Sequence, residues 1–133
     1  MSKSLKDDSK KTLFDSSCFI HLSGGMTGYP DYQIPLFDKV QEWCYRQGAR
    51  YCYSPAAIAG QLKTHEQYMR YNLSRLITPP AARGRGLRKI LVLLPDWQKS
   101  EGAALEHAVA KAIGLERLEV RIDEDDRFDL LHL

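Results

Sequence analysis

No apolar run in this 133-residue chain approaches the ~20 residues needed to cross a bilayer. The N-terminus also has no apolar core of the signal-peptide kind. Charge of one sign is lacking too. Lys and Arg number 19 against 17 Asp and Glu, for a net charge of +2. That excludes a global field of the kind that draws in nucleic acid. Cysteine is scarce: Cys18, Cys44 and Cys52 are odd in number and lack metal-ligand spacing. Two of them sit inside apolar patterns, so the expectation is buried free thiols in a reducing compartment. These absences predict a cytoplasmic protein with neither a membrane nor a nucleic-acid partner.

What is present is an ordinary globular composition. Apolar residues are 44% and charged residues 27%, and the length suffices for one domain with a real core. Residues 1–14 are expected to be a flexible polar tail and 15–133 a single domain, with no repeat or linker. Residues 18–23 read as a short strand that runs into a loop containing Gly24, Gly25 and Gly28. Leu36, Phe37, Val40, Trp43 and Cys44 share one face of a helix that stops near Gly48. Residues 50–54 read as a second strand, ended by Pro55. Residues 65–77 form a second helix with Tyr68, Met69, Leu73, Leu76 and Ile77 on its apolar side. Residues 78–87 are a loop by virtue of Pro79, Pro80, Gly84 and Gly86.

Residues 88–94 are a third strand, apolar through its centre and so expected to be covered on both faces. A short turn then leads into the stretch that organises the chain, Ser-Glu-Gly-Ala-Ala-Leu-Glu from Ser100 to Glu106. Ser100 suits an N-cap, and Glu101 suits the positive end of the helix dipole. Leu105, Ala108, Val109 and Ile113 recur at helical spacing and are expected to be the packed face, with Glu106 beside it and half buried. Residues 118–122 form a fourth strand, followed by an acidic patch at 123–126. The apolar tail Phe128, Leu130, Leu131 and Leu133 should dock on this subunit or a neighbour.

Alternation of strands and helices predicts an α/β fold with a small parallel sheet and right-handed crossovers. In such sheets ligands sit beyond the carboxyl ends of the strands, where strand order reverses. If the first and third strands are neighbours there, the Gly24-Gly25 loop and the turn before Ser100 meet in one pocket.

Two motifs in that order carry a resemblance. The run from His21 to Tyr32, His-Leu-Ser-Gly-Gly-Met-Thr-Gly-Tyr-Pro-Asp-Tyr, resembles the first loop of the nucleoside 2-deoxyribosyltransferase superfamily. The run from Leu94 to Glu106, Leu-Pro-Asp-Trp-Gln-Lys-Ser-Glu-Gly-Ala-Ala-Leu-Glu, resembles its second signature. The closest similarity is to an uncharacterised phage and bacterial branch with a Leu-Pro-Gly-Trp-x-x-Ser-x-Gly-Ala pattern. The superfamily also contains the deoxynucleoside 5'-monophosphate N-glycosidases. The resemblance spans most of residues 18–120 and implies a Rossmann-like or flavodoxin-like three-layer fold.

What it implies chemically is a carboxylate nucleophile at Glu106 that attacks the anomeric carbon of a 2'-deoxyribose and expels the base. The logic is that of retaining glycosidases, with hydrolysis or transfer to a second base as the closing step. No metal or other cofactor is implied. Ser100 stands where the monophosphate glycosidases place a serine on the 5'-phosphate. With the Gly24 and Gly25 amides, Thr27 and the helix start at Gly102, it would form a phosphate nest. Related proteins form dimers or larger assemblies, so a homo-oligomer is expected.

The chain departs from the pattern in two places. His21 replaces a first-strand tyrosine that helps hold the nucleophile. Asn72 stands at the place of a second-helix aspartate near the leaving base; it can hydrogen-bond a base but cannot act as a general acid. Three readings therefore stand: a deoxynucleotide or deoxynucleoside N-glycosidase or transferase, a nucleotide binder without turnover, and a protein-interaction module, such as a phage accessory factor. Trp97 could stack on a base and Asp96 could reach a sugar hydroxyl. His107 is expected to be a surface helix residue, and Arg83, Arg85, Arg88 and Lys89 a solvated basic cluster.

Overall fold

The computed structural model describes residues 4–6, 12–78 and 86–133. The expected loop tip with Pro79, Pro80, Gly84, Arg83 and Arg85 lies outside the described residues, as does most of the stretch before residue 12.

Among the described residues, six strands and three α-helices follow in the order β1 (Ser4–Lys6), β2 (Cys18–Ser23), α1 (Ile34–Arg46), β3 (Tyr51–Tyr53), α2 (His65–Ile77), β4 (Arg88–Leu93), α3 (Glu101–Ala112), β5 (Glu116–Ile122) and β6 (Phe128–His132). They form one sheet in the order β1-β6-β5-β4-β2-β3. β5, β4, β2 and the edge strand β3 run parallel, and β6 and β1 are antiparallel additions at the other edge. The architecture is a Rossmann-like three-layer α/β fold.

Strand periodicity sorts the side chains between layers. In β2, Cys18, Ile20 and Leu22 pack with Ile90, Val92 and Leu94 against Phe37, Val40, Trp43 and Cys44 of α1. The intervening residues of β4, Leu91 and Leu93, face the other side and meet Leu76 of α2 and Ala103 and Ala110 of α3. β2 and β4 lie side by side in register, Cys18 opposite Arg88 through Ser23 opposite Leu93. From that pair the chain runs outward to β3 in one direction and to β5 in the other, with α1 and α3 on opposite faces. This is the reversal of strand order at which two loops converge.

Helix ends follow local chemistry. Thr64 and Gln67 close a reciprocal capping box on α2. Ser100 caps α3 by accepting the Ala103 N–H at 3.2 Å.

Several expectations need correction. Leu105 and Ile113 are 41% and 50% exposed, and Ala108 is also exposed; α3 instead buries Ala103, Glu106 and Ala110. Periodicity marks a stripe of large apolar residues, but the small ones let this helix approach the sheet closely. On α2 only Leu76 is fully buried, and Ile77 is 54% exposed. The apolar C-terminal segment docks on its own subunit as β6, paired with β5 from Phe128 opposite Ile122 to His132 opposite Leu118. Within the expected tail, Ser4–Lys6 pair with β6, and Phe14 is buried in the core. All three cysteines are buried free thiols. Arg88 and Lys89 are engaged rather than merely solvated: Arg88 donates to Glu116 at 2.5 Å, and Lys89 donates to the Arg75 and Thr78 carbonyls.

Candidate active site

The site begins with the alternation of β2. Phe19, His21 and Ser23 face the α2–α3 layer because Cys18, Ile20 and Leu22 are committed to the α1 side. α3 starts just past β4, so its second turn passes over the carboxyl end of β2. Glu106 therefore projects onto His21 and Ser23.

The Glu106 carboxylate is 7% exposed. Its Oε2 lies 2.6 Å from His21 Nε2, and its Oε1 accepts the Ser23 hydroxyl at 3.2 Å. An ionised carboxylate has only lone pairs to offer, so in that form the contact takes its hydrogen from His21 Nε2. Both oxygens are thus held, and each keeps a lone pair for a further partner. His21 is itself fixed by β3: it is the register partner of Tyr53, and the two rings lie 5.0 Å apart.

Glu106 opens on a cavity of about 770 Å³ at the convergence of the two loops. That size lies within the range of small-molecule sites, roughly 300–1,000 Å³. The first loop supplies Gly24, Gly25 and Thr27, and the start of α3 supplies Ser100 and Gly102. α2 forms the facing wall with Met69 and Asn72. The backbone packs closely at two glycines, Gly24 against the fixed Leu94 Cβ and Gly25 against a movable tyrosine ring. A Cβ on Gly24 would lie 2.9 Å from Leu94 Cβ, and one on Gly25 would lie 2.6 Å from the Tyr29 ring. The following loop is tied down by Gln33, whose side-chain amide donates to the Gly25 carbonyl at 2.5 Å. Asp31, Tyr32 and Gln33 all adopt left-handed backbone, with φ of 51°, 53° and 57°. Three non-glycine residues in that region form a strained turn, and Tyr29 and Tyr32 from it line the cavity.

Of the residues expected from sequence, Glu106, Asn72, Gly24, Gly25, Thr27, Ser100 and Gly102 meet at this cavity, and His21 lies behind the carboxylate. Asp96 and Trp97 do not. Trp97 is 8% exposed, packed in the smaller core cluster with its ring 4.6 Å from His107. Asp96 adopts left-handed backbone at φ 63° to start the short turn Trp97–Lys99, and its side chain is exposed. Both belong to the turn that leads into α3, and of that turn only Lys99 lines the cavity.

Reasoning from sequence missed Ser23 and Tyr53. Ser23 had a signal, since His21 and Ser23 are two polar residues at strand period in an apolar run. Tyr53 had none, because its role depends on β3 lying next to β2. Tyr53 donates its hydroxyl to Asn72 Oδ1 at 2.7 Å. Burial first, and then neighbouring Tyr71, push its phenol pKa up, so it keeps its proton. Arg75 lies over the same ring, 4.2 Å from its centroid. Cationic side chains on the cavity wall are Lys63 and Lys99, with His65 at the start of α2. Among the described residues, no three His, Cys, Asp or Glu side chains are grouped so as to hold a metal ion.

Residues 18–118 match the family described as a domain of unknown function, DUF4406, and the chain belongs to that family. No curated protein and no solved structure matches the chain.

Proposed function

We propose that this DUF4406 domain cleaves the N-glycosidic bond of a 2'-deoxynucleotide or deoxynucleoside, with Glu106 as nucleophile. The observation that carries this reading is the buried carboxylate held by His21 and Ser23 at the floor of a nucleotide-sized cavity. A solvated helix glutamate would have neither partner. His21 takes the orienting role that the related superfamily gives to a tyrosine. Its Nε2–H and the Ser23 hydroxyl fix the carboxylate while leaving lone pairs directed toward an anomeric carbon. As positive charge develops on the sugar, the carboxylate stabilises it and then bonds to it. Water then releases the sugar from Glu106; a second base in its place would make the reaction a transfer.

The Ser100 corner fits a 5'-phosphate. Ser100 Oγ accepts from the Ala103 N–H and still has its own O–H to donate. The glycine loop and Lys99 share that wall. Capping and phosphate binding therefore coexist. Self-association into a homo-oligomer belongs to the same proposal, supported by the exposed Leu105 and Ile113 on α3.

The direct test is chromatography of free base after incubation with the four deoxynucleoside monophosphates and the corresponding nucleosides. Base release is expected from the wild-type protein and is expected to fall at least about a thousandfold in Glu106→Gln, with the circular dichroism spectrum unchanged. Release that persists in Glu106→Gln removes the assigned nucleophile. No release from any of these substrates removes the cleavage reading.

A further inference from the structure

Asn72 is the residue of the cavity whose chemistry least fits a glycosidase, and its surroundings decide what it can do. An asparagine offers a carbonyl on one side and an amide with two donors on the other. Here the carbonyl is occupied: Tyr53 donates to Oδ1 at 2.7 Å, and Asn72 is the hydroxyl's only hydrogen-bond partner among the described residues. Turning the amide over would set the phenol proton against an N–H and lose the acceptor it has. The Asn72 Nδ2 donors have no partner among the described residues and are left to the cavity that Asn72 lines. The Tyr53 ring cannot easily move, because it lies against His21 on one side and under Arg75 on the other.

Among the described residues, α2 carries no acid beside Asn72 to do what an aspartate would do at this place. The only acid of α2 is Glu66, six residues earlier and about 240° around the helix. His65 opens the helix seven residues before Asn72, roughly 10 Å along the axis at 1.5 Å per residue. Tyr68 lies one turn away, but its hydroxyl accepts the Leu62 N–H, and a phenol is a poor acid at neutral pH. Lys63, Lys99, Tyr29, Tyr32 and Glu101 also line the cavity, from segments outside α2.

We propose that Tyr53 is a positioning residue that fixes Asn72 as a donor toward the base, so that the site selects pyrimidine diones, the uracil and thymine type. This rests on the cleavage reading above. Without an acid, the C1'–N bond breaks with its electron pair going to the base, which leaves as an anion. A pyrimidine dione spreads that charge onto its carbonyl oxygens, and the Asn72 amide donates to the carbonyl beside the broken bond. The donor is most valuable as charge develops there, since it is already oriented. Glu106 holds the sugar as an ester at C1'. Water then attacks C1': its hydroxide ends on the sugar, its proton on the base anion, and Glu106 is regenerated. Cytosine and the purines, which leave well only when protonated, are poor substrates for this arrangement.

The experiment compares kcat and KM for base release from the monophosphates of thymidine, deoxyuridine, deoxycytidine, deoxyadenosine and deoxyguanosine. Wild type, Tyr53→Phe and Asn72→Asp are assayed across pH. Wild type should favour the two diones by about tenfold or more in kcat/KM. Tyr53→Phe keeps the ring against His21 and should narrow that preference, with kcat for the diones falling further than kcat for the purines, which have no carbonyl beside the broken bond. Asn72→Asp should gain turnover of deoxycytidine and purine substrates on the acid side only. Equal rates for all five bases in wild type, or an unchanged preference in Tyr53→Phe, overturns the proposal while leaving cleavage standing. If no base is released at all, the cleavage reading fails and calorimetry decides the Asn72 contact. Tighter binding of thymidine monophosphate to wild type than to Tyr53→Phe supports it, and equal affinity overturns it.

Discussion

Glu106 shows how one residue type can be ordinary in sequence and exceptional in place. Helical glutamates are usually solvated, and the spacing of α3 places this one beside the packed face without saying what holds it. The distinction comes from His21 and Ser23, 85 and 83 residues away in the chain. His107, its immediate neighbour, has a different fate. Its ring lies against Trp97, and its Nε2 accepts from Arg117 at 3.0 Å. Burial, then the cations of Arg117 and Lys111, hold its pKa below the usual imidazole value of 6.5. The folded state therefore favours neutral His107, while the unfolded chain protonates near 6.5. Stability from this source is complete above pH 6.5 and is lost as the pH falls below it. Urea midpoints measured from pH 7.5 to about 5 should decline less steeply in His107→Gln than in wild type. Equal slopes would show that the imidazole is not the group responsible.

At the scale of elements, the ends of α3 and the residues that face the sheet matter more than its large apolar side chains. The helix docks through Ala103 and Ala110 because small side chains let it lie close enough for a glutamate to reach β2. Pattern reading weights large apolar residues and so picked a stripe of which only Val109 packs against the core. Its start was legible, since Ser100 before an acidic first turn is a local signal that needs no tertiary context. Ser100→Ala should cost about 1 kcal/mol through the lost cap. If Ser100 also touches the 5'-phosphate, KM for a monophosphate should rise while KM for the free nucleoside holds. A loss of stability with both constants unchanged would confine Ser100 to capping.

For the whole molecule, the order β1-β6-β5-β4-β2-β3 places the functional loops together and leaves α2 and α3 on one outer layer. That layer is thinly covered. Leu105 and Ile113 on α3 and Tyr71 and Ile77 on α2 are each more than a third exposed. The opposite layer, under α1, buries Phe37, Val40 and Cys44 completely. Sedimentation at micromolar concentration should show an assembly larger than a monomer, and Leu105→Lys with Ile113→Lys should shift it toward monomer. A wild-type protein that sediments only as a monomer would remove the oligomer expectation. Among the described residues, no helix is long and apolar enough to cross a membrane.

What the sequence determined by itself was local. Strand and helix positions, the caps at Ser100 and near Gly48, and the two glycine-bearing loops follow from periodicity and turn chemistry within a few residues. That β2 and β4 are neighbours entered from sequence only as a condition, which the sheet order meets. Tertiary structure alone decided which face of α3 is buried, that Trp97 and Asp96 turn away from the cavity, that the C-terminal segment completes the sheet, and that Tyr53 joins His21 to Asn72. Each of these depends on contacts between residues distant in the chain. Such contacts are set by the distance at which layers pack, and no local pattern encodes that distance.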